Sequence, residues 1–464
     1  MKINSFKAEG VHDYLNFDIK FYSELTFLIG INGSGKTSAL KLILGLTSPS
    51  YNYLNQINYK YCEVVCSSNS DEKDIVIRAE QDKKTATFKI EFIFNNEKVE
   101  SEPMPRFLRN DEPYDIEEFS ITEQRHREYF DNLEITKKIR EIATPKFLGL
   151  DRRIYEGRFI DFRFKTRRHG INQRVKRNYE GYPEPPAIDS SLEEVQMLVY
   201  DYFRKIAQRQ PQISEEFKKK IFKQSFSFIS DYNLEPIPST VEALQERKEK
   251  VTAAVTNLGI DYLNYDVNSF FSKIENIVKQ NIEYEKKKEN SKEIINKFQD
   301  EYINIIRTWF NNGSQLKRID DLINYSQQYQ EQISNLRTPI KKLEDIATNF
   351  LKEGKKSLII APDGEIKVRL RNNKLANVFE LSSGEKQIII MIAHLIFEED
   401  QKPSGIFIID EPELSLHIAW QEIFVDSIME ASPKTQFILA THSPSIISKI
   451  KREQFCQDLN KLNN

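Results

Sequence analysis

Eight consecutive residues, Gly30 to Thr37 (GINGSGKT), fill every fixed position of the pattern G-x-x-x-x-G-K-[ST]. An apolar run, LTFLIG, leads into them, and apolar residues at helical spacing follow over 36–46. A strand, a glycine turn and a helix in that order suit a phosphate cradle. Gly30, Gly33 and Gly35 let backbone N–H groups close around phosphate oxygens without Cβ clashes. The helix N-terminus adds a favourable dipole. The candidate cradle is Asn32, Gly33, Ser34, Gly35, Lys36, Thr37 and Ser38, with Lys36 reaching the β- and γ-phosphates and Thr37 ligating Mg²⁺. An accidental glycine turn is the competing account; three of the chain's 15 glycines falling here weigh against it.

Three further segments carry chemistry. In IFIIDEPE (406–413) four apolar residues make a buried strand, Asp410 stands at its end to order Mg²⁺, and Glu411 follows as general base. In LSSGEKQ (381–387) a Ser-Ser-Gly turn opens a helix and leaves free N–H groups. Its candidates are Ser382, Ser383, Gly384 and Glu385, although alone the segment reads as an ordinary helix cap. In LATHSP, His442 follows the strand QFIL, where it can hydrogen-bond a γ-phosphate and an attacking water. A lone strand-end histidine is more often structural; its company raises this one.

These segments need an α/β scaffold. Residues 2–30 alternate apolar and polar in strand-length pieces, and 57–66, 74–79 and 85–94 continue as a meander. Residues 110–140 turn acidic and helical, and PKFLGL reads as a buried strand. From 191 to 352 helical periodicity dominates, broken at Gly259, Gly313 and Pro339 into several antiparallel helices. KSLIIAP, GEIKVRLRN and NVFEL return as strands. The expected domains are 1–190, a helical insertion 191–352, and 353–464.

Composition narrows the classes. The chain has 464 residues, with 67 Lys plus Arg against 70 Asp plus Glu, a net charge of −3 that excludes a general nucleic-acid coat. Thirty Phe and 20 Tyr exclude a disordered chain. Three cysteines cannot make a disulfide framework; Cys62 and Cys66 read as strand residues rather than metal ligands. No apolar leader opens the chain, and the longest apolar run, Ile388–Phe397, is too short to span a bilayer. A soluble, cytoplasmic protein with no membrane role of its own is expected. One stretch stands apart: 152–177 holds ten basic residues and two acidic ones. Arg163, Arg167, Arg168, Arg174, Lys176 and Arg177 there either hold nucleic-acid phosphates or an acidic partner, or form a solvated face balanced by neighbours. The Lys/Glu-rich helices of 242–300 are read as solvated faces, with partner docking or dimer contacts the alternative.

Taken in chain order, GINGSGKT, LSSGEKQ, IFIIDEPE and LATHSP resemble the Walker A, signature, Walker B and switch-histidine motifs of ABC-type ATPases. That resemblance implies an ABC-ATPase head, a mixed sheet with the P-loop plus an antiparallel β lobe, using ATP and Mg²⁺. It also implies a dimer of heads, or a higher even number, in which Ser382, Ser383, Gly384 and Glu385 act in trans on the partner's nucleotide. Lys36 and Ser382 are 346 residues apart, far more than in transporter heads. The late signature and helical insertion look like the SMC, RecF and OLD branch. EPELSLHIAWQ (411–421), with His417 where transporters carry an aspartate, is similar to the AAA-type ATPases of bacterial anti-phage defence, the OLD and Septu (PtuA) families among them. The resemblance covers about 1–100 and 355–450. OLD proteins continue into a nuclease domain, whereas 20 residues follow Pro444 here. The expectation is therefore an ATPase subunit that regulates a separate HNH-type nuclease. A RecF- or SMC-like ATPase that binds DNA directly, and a nucleotide-bound scaffold with little turnover, are the alternatives. The Q-loop position falls either on Gln56 or on the turn at Asp151 and Arg152.

Overall fold

The computed structural model of the chain describes residues 1–67, 74–95, 97–106, 116–141, 145–148, 154–156, 187–226, 236–290, 295–399, 405–447 and 450–462. These residues divide into two compact units, Met1–Asp201 with Ile340–Asn464, and Tyr202–Pro339.

The first unit is mixed α/β, and its described residues form three sheets. Strands β1 (Lys2–Val11), β2 (Leu15–Lys20), β4 (Tyr61–Ser67), β5 (Asp74–Asp82) and β6 (Thr87–Phe94) alternate buried and exposed residues, as one-sided antiparallel strands do. They form an antiparallel lobe in the order β2-β1-β4-β5-β6-β7, closed by the charged edge strand β7 (Glu97–Glu100), while β8 (Met104–Pro105) pairs with β6. Cys62 and Cys66 lie on the buried face of β4, and burial pushes both thiols up.

The second sheet runs β10 (Ile154–Glu156), β9 (Lys146–Leu148), β14 (Ile406–Asp410), β15 (Gln436–Ala440), β3 (Leu25–Ile29), β16 (Cys456–Asp458). Every pairing from β9 to β16 is parallel; β10 alone is antiparallel. Strands β14 and β15 are buried at all five positions, the continuous apolar signature of a sheet covered on both faces. The third sheet is the small antiparallel meander β11 (Ser357–Ile360), β12 (Ile366–Arg369) and β13 (Leu375–Asn377).

Helix α1 (Lys36–Thr47) touches β4 and β5 of the first sheet and β14 and β15 of the second. A helix between two sheets is buried nearly all round, which accounts for its run LKLILGL. Its core takes in Leu40, Leu42 and Ile43 together with Phe6, Phe17, Val64, Ile77, Ile406, Ile408 and Ile438. Around it lie α2 (Tyr51–Gln56), α3 (Ile116–Asn132) and α4 (Glu134–Glu141). The two larger sheets are tied by a polar bond as well. Gln436, fully buried, accepts from Ile3 N–H at 2.7 Å and donates to Ile3 O and Tyr22 O, both at 2.8 Å.

The chain leaves this unit within α5 (Ala187–Ser225) and returns within α8 (Ile295–Leu351). The second unit is helical. Its core joins Leu244, Val251 and Val255 of α6 (Glu242–Asn257), Phe271, Ile274 and Val278 of α7 (Asn264–Asn290), and Trp309, Leu316 and Ile323 of α8. Gly259 ends α6 with φ 70°, and the bonds Ile260 N–H to Val255 O and Gly259 N–H to Thr256 O complete a left-handed C-terminal cap. Gly313 and Pro339, expected to break the helices, both lie inside the 57-residue α8. Gly313 gives room to the indole of Trp309, whose Cε2 would stand 3.1 Å from an added Cβ. Beyond Pro339 the helix buries Leu343, Ile346, Ala347 and Phe350, which offsets the roughly 3 kcal/mol an internal proline costs. NVFEL differs as well: only Asn377 ends a strand, and its side chain with Glu380 forms a capping box over a short 3-10 turn at Val378–Glu380.

Gln436→Ala should strand the buried N–H and C=O of Ile3. The expected loss is about 2–4 kcal/mol of unfolding free energy, read by urea denaturation.

Candidate nucleotide site

The parallel sheet brings three sequence-distant loops together. Asp410 pairs with Ala440, and Ala440 pairs with Leu28, so β14, β15 and β3 end level with one another. The residues that follow these strands are Glu411, Thr441–His442, and the Gly30–Thr37 loop. Ligands of open α/β sheets bind at this carboxyl edge. Helix α1 begins at the last loop, with Gly35 as its N-cap at φ 86°. A Cβ on Gly35 would stand 2.7 Å from Phe17 Cζ and 2.8 Å from Leu15 Cδ1, so both the backbone conformation and the space demand glycine. Gly33, at φ 85°, faces open space.

Lys36 is 5% exposed, and its Nζ donates to Gly30 O at 3.0 Å and to Ile31 O at 3.4 Å. It also meets His442 Nε2 at 2.5 Å, a contact in which a charged lysine donates and that ring nitrogen accepts. Burial lowers the ammonium pKa, while the Glu411, Asp410 and Glu413 carboxylates work against that shift. Asp410 is 3% exposed, and neither of its carboxylate oxygens has a hydrogen-bond partner among the described residues. Burial pushes its pKa up to about 6. The Thr37 hydroxyl, close enough to oppose that rise, stands outside hydrogen-bonding geometry. Ser34 Oγ is likewise buried with no partner. A buried oxygen without a donor is costly, so three here mark a place made for a ligand.

Glu411 is half-buried and left-handed, at φ 49° and ψ 57°, and its N–H donates to Ala440 O at 2.9 Å. A non-glycine residue in that region stores roughly 1–2 kcal/mol, of the kind found at functional sites. His442 is exposed. Ser382 and Ser383 are exposed at the start of α9 (Ser383–Glu399). Glu385 turns inward instead: it accepts from Ser382 N–H at 2.9 Å and pairs with Lys356 at 2.9 Å. Lys386, next to it, pairs with Asp189 at 2.8 Å.

Some contributors were not singled out from sequence. Glu413 holds the segment of His442 through two hydrogen bonds. His12, in the β1–β2 turn, meets Ser38 Oγ at 2.8 Å, and Asn460 Oδ1 accepts from Ile31 N–H at 3.3 Å. His12 and Asn460 lie in no motif; Glu413 is the last residue of IFIIDEPE, a segment marked for its neighbours Asp410 and Glu411. Gln56 is exposed at the end of α2, and Asp151 and Arg152 lie outside the described residues, as do Arg163, Arg167, Arg168, Arg174, Lys176 and Arg177. Among the described residues no group of three His, Cys, Asp or Glu is placed to hold a metal, and no helix is long and apolar enough to cross a membrane.

A family model described as an AAA ATPase domain matches residues 1–447. The "Retron Vc95 probable ATPase" of Vibrio cholerae is 27% identical over 198 residues, 41% of this chain and 35% of that protein. The "Retron Ec83 probable ATPase" of Escherichia coli is 35% identical over 89 residues, 17% of this chain and 16% of that protein. The matched stretches thus span about a third of the first relative and less of the second. Similar solved structures include an Smc head domain from Pyrococcus furiosus bound to the C-terminal domain of ScpA (TM-score 0.37, 14% identity, 96% of this chain and 91% of that one). An SMC head domain from Thermotoga maritima gives a TM-score of 0.35 at 11% identity, over 97% and 92%.

With a carboxyl held near 6, folding disfavours the ionised Asp410. Its destabilising effect is absent well below the free carboxyl's value of 3.8, grows as pH rises from there, and is complete above about 6. Asp410→Asn should therefore raise the melting temperature of the nucleotide-free protein at pH 7 by a few degrees and flatten its fall between about pH 4 and 6, by differential scanning fluorimetry.

Proposed function

We propose that this chain, which belongs to the AAA ATPase domain family, binds ATP at the carboxyl edge of β14, β15 and β3 and hydrolyses it to ADP and phosphate. The observation that carries this reading is the buried, unpartnered Asp410 carboxylate level with Lys36, Glu411 and His442 on three adjacent strand ends.

Asn32 to Ser38 enclose the phosphates with main-chain N–H groups, and Ser34 Oγ gains the partner it lacks. Lys36 exchanges the carbonyls of Gly30 and Ile31 for phosphate oxygens. Thr37 and Asp410 fit Mg²⁺, which keeps several waters and takes few protein ligands, and which supplies positive charge at the phosphate oxygens when bound. Glu411 accepts a proton from the water as its oxygen bonds to the γ-phosphorus and the β–γ bridging bond breaks. His442 hydrogen-bonds the same end of the nucleotide.

Two heads complete the site in this reading. Ser382, Ser383 and Gly384 at the α9 N-terminus meet the γ-phosphate held by the partner head. Glu385 contributes by capping that turn from within. Ile31, Leu414 and Ile418 support a facing partner: all three are large, apolar and exposed, Ile31 and Leu414 on the loops that carry Lys36 and Glu411 and Ile418 at the start of the helix Ile418–Ala431. The role drawn from the resemblance to the Septu (PtuA) type is nucleotide-dependent control of a separate HNH-type nuclease in anti-phage defence. The basic run from Arg163 to Arg177 is the candidate contact for nucleic acid or that partner.

Lys36→Ala should abolish ATP binding by isothermal titration; unchanged affinity would remove Lys36 from the phosphate site. Glu411→Gln should bind ATP while losing about 10²–10⁴ of turnover, and should accumulate as an ATP-bound dimer in native mass spectrometry. Tight ATP binding with no phosphate release in the wild type would favour the scaffold reading. DNA retention by the chain alone, with no nuclease captured on co-expression with neighbouring genes, would favour the RecF-like one.

A further inference from the structure

Glu413 sits two residues beyond the proposed base, on the 3-10 turn Pro412–Ser415 that leaves the strained Glu411. Its two carboxylate oxygens are committed separately. Oε2 accepts from the Thr441 hydroxyl at 2.8 Å, and Oε1 accepts from the backbone N–H of His442 at 2.6 Å. Hydrogen bonds to an ionised acceptor are short and strong, and a carboxylate that takes one on each oxygen fixes direction as well as distance. The contacts continue outward. Ser443 N–H donates to Thr441 Oγ1 at 3.0 Å, Ser443 Oγ donates to Gln421 Oε1 at 2.5 Å, and Gln421 Nε2 donates to Leu416 O at 3.0 Å. The loops after β14 and β15 are thereby laced into one piece.

The histidine held this way has an exposed ring, and its Nε2 lies against Lys36 Nζ. We propose that Glu413 is a positioning residue for hydrolysis: it clamps the main chain of His442 to the β14 loop, so that imidazole, Lys36 and Glu411 face one point. The proposal rests on the ATPase reading above and adds to it a residue that touches neither nucleotide nor water. Without the clamp, the Lys36 cradle survives, because its donors and carbonyls belong to the Gly30–Thr37 loop. What is lost is the placement of His442. The cost therefore falls on turnover and spares affinity.

The test uses the full chain as wild type, Glu413→Ala and Glu413→Gln, with Lys36→Ala as reference. Three quantities are read: phosphate release, affinity for a fluorescent non-hydrolysable ATP analogue, and amide hydrogen exchange of the peptide around His442. Glu413→Ala should lower kcat by about 10- to 100-fold, since a misplacement of about 1 Å costs as much. Its analogue affinity should stay within about threefold, and exchange at the His442 peptide should rise roughly tenfold as the bonded amide is released. Glu413→Gln keeps an acceptor for the His442 N–H and should recover part of kcat. Wild-type kcat with unchanged exchange in Glu413→Ala would overturn the proposal. So would parallel losses of kcat and affinity, which mark a residue that only supports the fold. Loss of analogue binding in the wild type itself would instead strike the ATPase reading. If the wild type binds but does not turn over, a Glu413→Ala variant whose His442 peptide exchanges as before overturns the clamp, and faster exchange at unchanged affinity sustains it.

Discussion

Three parallel strands that end level are the constraint on which the candidate site depends. Asp410, Ala440 and Leu28 share one line across β14, β15 and β3, and each neighbour pair is joined by main-chain hydrogen bonds. A slip of one residue in any strand would turn its side chains to the opposite face and carry its loop about 3.3 Å along the strand. The apolar faces prevent that slip. Ile406, Ile408, Ile438 and Ala440 join the core around α1, while the alternate residues Phe407, Ile409, Phe437 and Leu439 are buried on the other face. The strand ends from which Lys36, Glu411 and His442 follow are thus set by packing some distance from any of them.

The charge distribution follows from that convergence. One buried ammonium, Lys36, lies among three carboxylates, and the most buried of them, Asp410, has no hydrogen bond among the described residues. Taking a carboxylate out of water without donors is unfavourable, and so is the left-handed backbone of Glu411. Both features concentrate at the strand ends, while the surrounding core is apolar and well buried. Stability is supplied by the sheets and α1, and the site draws on it. A ligand carrying negative oxygens and a divalent cation would satisfy the orphaned groups of Ser34 and Asp410 together.

The candidate site was legible in the sequence because it depends on residue types. GINGSGKT needs glycines where only glycine fits, as Gly35 against Phe17 illustrates, and Asp410 had to follow a wholly apolar strand. The alternating strands and the long helices were legible for the same reason, periodicity being local. What escaped was set by partners distant in the chain or by main-chain contacts. Nothing in Glu413 announces that its carboxylate will meet an amide 29 residues later. Asn377 turned a strand-like NVFEL into a capped 3-10 turn, a competition that side-chain hydrogen bonding wins locally. Gly313 and Pro339 carry breaker residue types but not breaker surroundings: an indole fills the space beside one, and buried residues follow the other.

The same strand order bears on how the protein is made. Strand β3 and helix α1 appear within the first 47 residues, but the partners of β3 are β15, at Gln436–Ala440, and β16, at Cys456–Asp458. During synthesis the antiparallel lobe can close early, because its strands are neighbours in the chain, and the helices of the middle unit can form as they emerge. Among the described residues, strand β3 has no parallel partner until residues 436–458 have left the ribosome. For that interval an apolar strand and an apolar helix lack much of their cover, the situation in which nascent chains lean on chaperones. A message cut short between residues 47 and 436 would yield a polypeptide with its glycine loop present and no β15 beside β3 to hold it. A nucleotide site at this edge would therefore also report that translation has passed residue 440.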